Sequence, residues 1–135
     1  MKNIEEFIKD YRKNRDDEHL SALILALREI ELFVPLYKEK IADYSEIDNK
    51  IKKYSDVSPV IVATTDYKFW FSSFTKEENM PKSFLESYRI EKFKLKDLTI
   101  ECLSQKDIEG VAINHSLNIH LFLDRKLLGA VLIFL

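Results

Sequence analysis

The stretch that most constrains the fold is residues 66–78, DYKFWFSSFTKEE, in which an aromatic strand runs into a polar segment. Side chains alternate between the two faces of a sheet along a strand. Apolar residues therefore occupy both faces here, with Tyr67, Phe69 and Phe71 on one side and Trp70 and Phe74 on the other. A strand that is apolar on both faces is typical of the centre of a sheet. Residues 57–63 are β-branched and apolar, and we expect them to pair with this strand as a hairpin through the turn at residues 64–66.

The polar end of this stretch predicts a helix start. Thr75-Lys76-Glu77-Glu78 fits the capping box, in which a threonine hydroxyl and a glutamate carboxylate satisfy free N–H groups of the first turn. The helix would begin after Thr75, with Pro81 in its first turn or opening a second helical piece.

The N-terminal third predicts two helices and a strand. An apolar stripe at helical spacing, formed by Ile4, Phe7, Ile8 and Tyr11, indicates an N-terminal helix within residues 1–15. Asp16 or Asp17 caps a second helix, the main core helix, whose apolar positions are Leu20, Leu23, Ile24, Leu27 and Ile30. Residues 31–37 predict a short strand in which Pro35 lies where no partner needs its N–H. Spacing of three and four residues predicts a surface helix over residues 38–56.

The C-terminal half predicts three more strands and two helical segments. Alternation over residues 92–96 indicates an edge strand protected by lysines. Asp97 is expected to cap a short helix through Gln105, and Gly110 to supply a left-handed residue. Residues 111–114 and 119–123 are predicted strands around the turn at residues 115–118, and residues 124–126 open a last helical turn. The apolar residues 127–135 fall far short of the roughly 20 that span a membrane, so they pack on the core or form a homodimer contact.

Composition bounds the class of protein. A chain of 135 residues, 46% hydrophobic and 33% charged, fits one globular domain. The order of the predicted helices and strands indicates the α+β class, with a mostly antiparallel sheet of about five strands and helices packed on it. A net charge of −2 argues against nucleic acid as a partner. Two glycines are too few for a P-loop, a dinucleotide fingerprint or a nucleophile elbow. The lack of a secretory signal and a lone Cys102 predict a cytoplasmic location, without a membrane partner.

Few side chains are candidates for a functional site. Trp70 and Phe74 would form an interaction surface if their face of the strand is uncovered, and core packing is the alternative. Asn114, His115, His120 and Asp124 form a weak polar cluster with capacity for acid–base chemistry, and ordinary turn and surface positions are the alternative. Cys102 suits a small core residue. No ligand pairs with zinc spacing occur, so the sequence predicts no catalytic residue, metal or cofactor.

Three segments together resemble the N-terminal domain of the SseB family. That family has a helix leading into a Val-Pro-Leu strand, a strand ending in Phe-Thr before acidic residues, and a later segment of the form Gly-Leu-x-Ile-Asn-Pro. The matching segments here are Val34-Pro35-Leu36, Phe74-Thr75-Lys76-Glu77-Glu78 and Gly110-Val111-Ala112-Ile113-Asn114. Their order and spacing agree over residues 20–128, although His115 stands where the family has proline.

We therefore divide the single domain, residues 1–135, into an N-terminal helix at 1–15, an SseB-like core at 16–128 and an apolar tail at 129–135, of which only the core rests on the resemblance. The resemblance implies a bacterial, non-enzymatic binding or regulatory module with a protein partner, and it supplies no catalytic residue or cofactor. Two other functions stay open: an immunity protein of a bacterial toxin system, and a small enzyme using His115, His120 and Asp124.

Overall fold

The computed structural model describes residues 3–37 and 58–133, which contain five α-helices and six strands. In chain order the elements are α1 (Ile4–Lys13), α2 (Asp17–Leu27), β1 (Glu31–Leu36), β2 (Ile61–Ala63), β3 (Phe69–Ser73), a 3-10 turn (Glu77–Asn79), α3 (Lys82–Ser87), β4 (Arg89–Lys94), α4 (Leu95–Leu103), β5 (Ile108–Ile113), β6 (Leu121–Asp124) and α5 (Arg125–Ile133). The helix predicted over residues 38–56 lies outside the described residues.

The first two helices begin at side-chain caps. The Asn3 Oδ1 accepts a hydrogen bond from the Glu6 N–H at 3.0 Å, and the Asp16 Oδ1 accepts one from the His19 N–H at 2.8 Å. These bonds satisfy N–H groups that the first turn of a helix leaves free. Both predicted helices are confirmed, with Asp16 as the cap of α2.

Two sheets replace the single predicted sheet of about five strands. One has the order β2-β3-β5-β6 and the other pairs β1 with β4. The central position predicted for β3 is confirmed, but β3 and β5 run parallel. The chain between them carries α3, β4 and α4, and such a crossover brings β5 back beside β3 in the same direction.

Isolated bridges connect the two sheets. Phe33 in β1 exchanges backbone hydrogen bonds with Phe74 at 2.8 and 2.9 Å, and the Pro35 carbonyl accepts one from the Val60 N–H at 2.8 Å. Leu36 lies opposite Pro59 in a second bridge. Because Pro35 and Pro59 have no N–H to donate, a regular ladder cannot continue here.

The main core lies on one face of the four-stranded sheet. Alternate residues of β3, β5 and β6 form rows across the strands, with Phe71 beside Val111 and Leu123. All three side chains are buried together with residues of α1, α2, α4 and α5. The opposite face carries Trp70 and Ser72.

Two local predictions were wrong, and one predicted strand ends earlier than expected. Gly110 lies inside β5 without a positive φ, and a left-handed residue follows only at Asn114, with φ of 54°. Helix α4 begins at Leu95, so Asp97 lies in its first turn and does not cap it. The edge strand β4 ends at Lys94, because Leu95 turns inward and is buried in the core.

The C-terminal helix α5 packs on the core through Leu128 and Val131, while Ile133 is 82% exposed. The Asp124 Oδ1 accepts a hydrogen bond from the Leu127 N–H at 2.9 Å at the start of this helix. Among the described residues, no helix combines the length and the apolar character that crossing a bilayer would need.

Candidate functional site

A buried pair of polar side chains, Asn114 and Thr75, joins the end of β5 to the segment after β3. The Asn114 Oδ1 accepts a hydrogen bond from the Thr75 N–H at 3.1 Å, and its Nδ2 donates to the Thr75 Oγ1 at 3.1 Å. The Asn114 N–H donates to the Ser73 carbonyl at 2.9 Å, which continues the parallel pairing by one residue. Because both side chains are buried, these bonds replace the water that each polar group loses on folding.

The same bonds explain why the predicted capping box is wrong. The 3-10 turn has Lys76 as its N-cap and no side-chain cap bond. The Thr75 hydroxyl bonds instead to Asn114 and accepts a hydrogen bond from the Asn79 Nδ2 at 3.2 Å. Asn79 also donates to the Glu5 Oε1 at 3.3 Å, so the network reaches α1. Pro81 then opens the second helical piece, α3, which was one of the two expected outcomes.

The residues that directly follow Thr75 line an open groove of about 510 Å³, whose lining is Phe33, Lys76, Glu77, Glu78 and Leu85. Its lining combines apolar side chains from β1 and α3 with three charged residues that follow the buried Thr75. Leu85 is 39% exposed although it is a large apolar residue. The buried bonds beneath therefore hold an exposed surface with both apolar and charged character.

The charged residues of the groove differ in whether an ion pair offsets their charge. Lys76 Nζ lies 3.7 Å from the Glu5 Oε1, so a neighbouring carboxylate offsets its charge. Within residues 3–37 and 58–133, no ion pair involves the exposed carboxylates of Glu77 and Glu78. The rim of the groove is consequently acidic.

Trp70 and Phe74, the predicted interaction surface, are buried in the structure, with exposed fractions of 7% and 0%. The Trp70 Nε1 donates to the Thr64 Oγ1 at 3.2 Å, and its ring packs edge-on against Phe122 at 4.9 Å between centroids. Phe74 contacts the rings of Phe84 and His115. Their face of the strand is covered, so neither side chain offers the exposed patch that the prediction required.

The predicted polar cluster is not assembled either. Asn114 binds Thr75, the Ser72 Oγ lies 2.8 Å from the His115 Nε2, and the His120 Nδ1 lies 2.8 Å from the Leu117 carbonyl oxygen. Asp124 pairs with Gly110 at the far end of the β5–β6 hairpin, away from the turn that carries both histidines. The hypothesis of one acid–base site with His115, His120 and Asp124 is therefore wrong in its geometry.

Ser72 and His115 form a pair of a kind that nucleophilic enzymes use. The Ser72 side chain is buried, and aromatic rings of Phe74 and Phe84 flank His115. Burial lowers the pKa of His115. Ser72 is buried without exposed surface, and its contact with His115 joins β3 to the turn after β5.

Cys102 is buried in α4, as its sequence context predicted. Burial raises the pKa of its thiol, which keeps the sulfur protonated and a poor metal ligand or nucleophile. In the described part of the chain, His, Cys, Asp and Glu side chains form no group of three that would hold a metal ion.

Sequence reasoning missed the groove because its walls come from β1, the segment after β3, and α3. The only local signal was the placement of charged residues directly after an apolar strand end. Comparison with protein-family models, curated proteins and solved structures finds no match for this chain.

Proposed function

We propose that the chain is a non-enzymatic, cytoplasmic binding module of the SseB family that engages a protein partner through the groove lined by Phe33, Lys76, Glu77, Glu78 and Leu85. The observation that carries the proposal is the meeting of the three segments that resemble the family. Phe33, next to Val34-Pro35-Leu36, bonds to the backbone of Phe74. Asn114 bonds to Thr75, and the three residues after Thr75 line the groove.

Preorganisation supports a binding role for this surface. The Asn114–Thr75–Asn79 network fixes the backbone beneath the exposed residues Lys76, Glu77 and Glu78. A surface that is already ordered loses little conformational entropy when a partner binds, so more of the contact energy appears as affinity.

The test compares two leucine variants in capture experiments from native lysate. Leu85→Asp places a charge in the groove, whereas Leu25→Asp makes the same change on α2, where Leu25 is 51% exposed. We expect a protein captured by the native chain and by Leu25→Asp to be lost with Leu85→Asp, while both variants keep the native circular dichroism spectrum. Equal capture by all three chains would contradict a role for the groove.

An immunity protein of a toxin system is a second candidate, and the acidic rim formed by Glu77 and Glu78 favours it because a cationic toxin would be attracted there. Gene neighbourhood is the measurement that separates the two proposals. A toxin gene beside this one supports the second candidate, and a metabolic operon counts against it.

A further inference from the structure

The size of the groove limits what it can hold. It is a shallow depression of about 510 Å³ that would leave one side of an occupant in contact with solvent. It is open rather than enclosed, and apolar side chains on two different elements, Phe33 on β1 and Leu85 on α3, line it. A short extended peptide segment suits such an opening better than a buried small molecule.

The negative charge of the rim favours a positively charged occupant. Lys76 is offset by Glu5, which leaves the carboxylates of Glu77 and Glu78 without an ion partner among the described residues. Two adjacent carboxylates at an exposed rim attract a cationic side chain and repel an acidic one.

A cation of the chain itself already contacts one wall. The Lys92 Nζ lies 5.5 Å from the centre of the Phe33 ring, a cation–π contact across the β1–β4 pair. Because this ammonium would repel a second cation at the ring, an incoming positive charge is directed to Glu77 and Glu78. The ring edge of Phe33 and the side chain of Leu85 are then left for an apolar neighbour.

We propose that the groove binds a basic peptide segment of a partner protein in which Lys or Arg alternates with an aliphatic residue. The cationic side chain meets Glu77 and Glu78, and the aliphatic side chain packs on Phe33 and Leu85. This inference rests on the proposed function, because it names the chemistry of the partner for the same groove.

The experiment is a titration of the full 15N-labelled chain with acetyl-Lys-Leu-Lys-Leu-Lys-amide, followed by amide chemical shifts. We expect saturable shifts at Phe33, Glu77, Glu78 and Leu85. We expect about tenfold weaker binding of two control peptides, one with glutamate in place of lysine and one with glycine in place of leucine. Raising the salt concentration should weaken the binding of the lysine peptide, because salt screens the attraction between exposed charges.

Two double variants separate a local charge effect from net charge. Glu77→Gln with Glu78→Gln removes the rim carboxylates, and Asp17→Asn with Glu18→Gln removes the same charge from exposed positions at the start of α2. We expect the first pair to weaken binding of the lysine peptide at least fivefold, by analogy with charge pairs at interfaces. The second pair should change it less than twofold.

Equal weakening by both pairs, shifts that map elsewhere, or no saturable shift would overturn the proposal. Its failure is distinguishable from failure of the proposed function. If Leu85→Asp abolishes capture of a partner while the lysine peptide does not bind, the groove is a binding site and only the basic chemistry of its partner is rejected.

Discussion

Asn114 combines a left-handed backbone, with φ of 54°, and a fully buried side-chain amide. Asn114→Ala removes the acceptor of the Thr75 N–H and the donor to the Thr75 hydroxyl, and it places a residue with a higher left-handed cost at this position. We expect a loss of about 2–4 kcal/mol in the free energy of unfolding, because buried polar groups are left unpaired. Urea denaturation measures it.

Two further substitutions separate the contributions. Asn114→Gly removes the same side-chain bonds but accepts the left-handed backbone, so it should be about 1 kcal/mol less damaging than Asn114→Ala. Asn118→Ala, at an exposed position of the same turn, should change the stability by less than about 0.5 kcal/mol. Equal losses for the alanine and glycine variants would show that the backbone conformation of residue 114 contributes nothing.

The sequence identifies single residues such as Asn114 more readily than their partners. Asparagine before a polar turn indicates a chain reversal, and the reversal is present. The hydrogen bonds to Thr75 span 39 residues of sequence, and they depend on the parallel pairing of β3 with β5. Periodicity within one element carries no information about such a distant pairing.

At the level of elements, replacing each of the two glycines by alanine is expected to change the stability in opposite directions. A Cβ at Gly110 would lie 1.9 Å from the backbone oxygen of Leu123, whereas one at Gly129 would have no atom within 4 Å. Gly110→Ala should therefore force β5 and β6 apart and cost about 2 kcal/mol or more. Gly129→Ala should stabilise α5 by up to about 1 kcal/mol, because alanine has the better helix propensity.

Thermal unfolding of the two variants measures both effects in one experiment. The melting temperature should fall for Gly110→Ala and rise for Gly129→Ala. A rise for both would show that the β5–β6 hairpin relaxes at little cost around an added methyl group.

The end of α4 is held by one side chain of α5. The Arg125 guanidinium donates to the carbonyl oxygens of Cys102, Gln105 and Ile108 through Nη1 and of Leu103 through Nη2, at 2.9–3.1 Å. These carbonyls belong to the C-terminal end of α4, the turn that follows it and the first residue of β5, so one side chain joins all three segments. Arg125→Lys keeps the charge but cannot reproduce the planar fork, so it should cost about 1–3 kcal/mol.

The matched control for this element contact is Lys126→Arg, the reverse exchange at the exposed neighbouring position. Its stability should stay within about 0.5 kcal/mol of the native chain in chemical denaturation. If Arg125→Lys also stays within that range, the guanidinium contacts do not stabilise the junction of α4 and α5.

Elements with a local signal were predicted well. The stripe of α1, the Asp16 cap of α2, the hairpin of β2 and β3, and the edge strand β4 all depend on residues close together in the chain. Elements whose limits depend on tertiary contacts were predicted less well. The Thr75 side chain bonds to Asn114 and does not cap a helix, and α4 begins earlier than expected because Leu95 is buried in the core.

For the whole molecule, composition and pattern predicted the α+β class but not the division into two sheets. The division falls where Leu36 lies opposite Pro59 and the Val60 N–H bonds to the Pro35 carbonyl, and each proline alone only indicates a strand edge. The groove also depends on the arrangement of the whole molecule, because its walls come from three segments that are brought together by the crossover between β3 and β5.

Stability of the whole molecule should depend on pH through His115, which links β3, the turn after β5 and α3. Burial lowers its pKa below the ordinary value of 6.5, so the unfolded chain binds more protons than the native one, and stability falls as the pH drops below about 6.5. Urea denaturation at pH 7.5 and 5.5 should show a smaller decrease for His115→Gln than for the native chain. Asp16 and Asp66 have pKa values lowered from 3.8, so their contributions are lost only at more acidic pH. If the free energy of unfolding decreases equally for the native chain and for His115→Gln, then His115 titrates alike in the native and unfolded states.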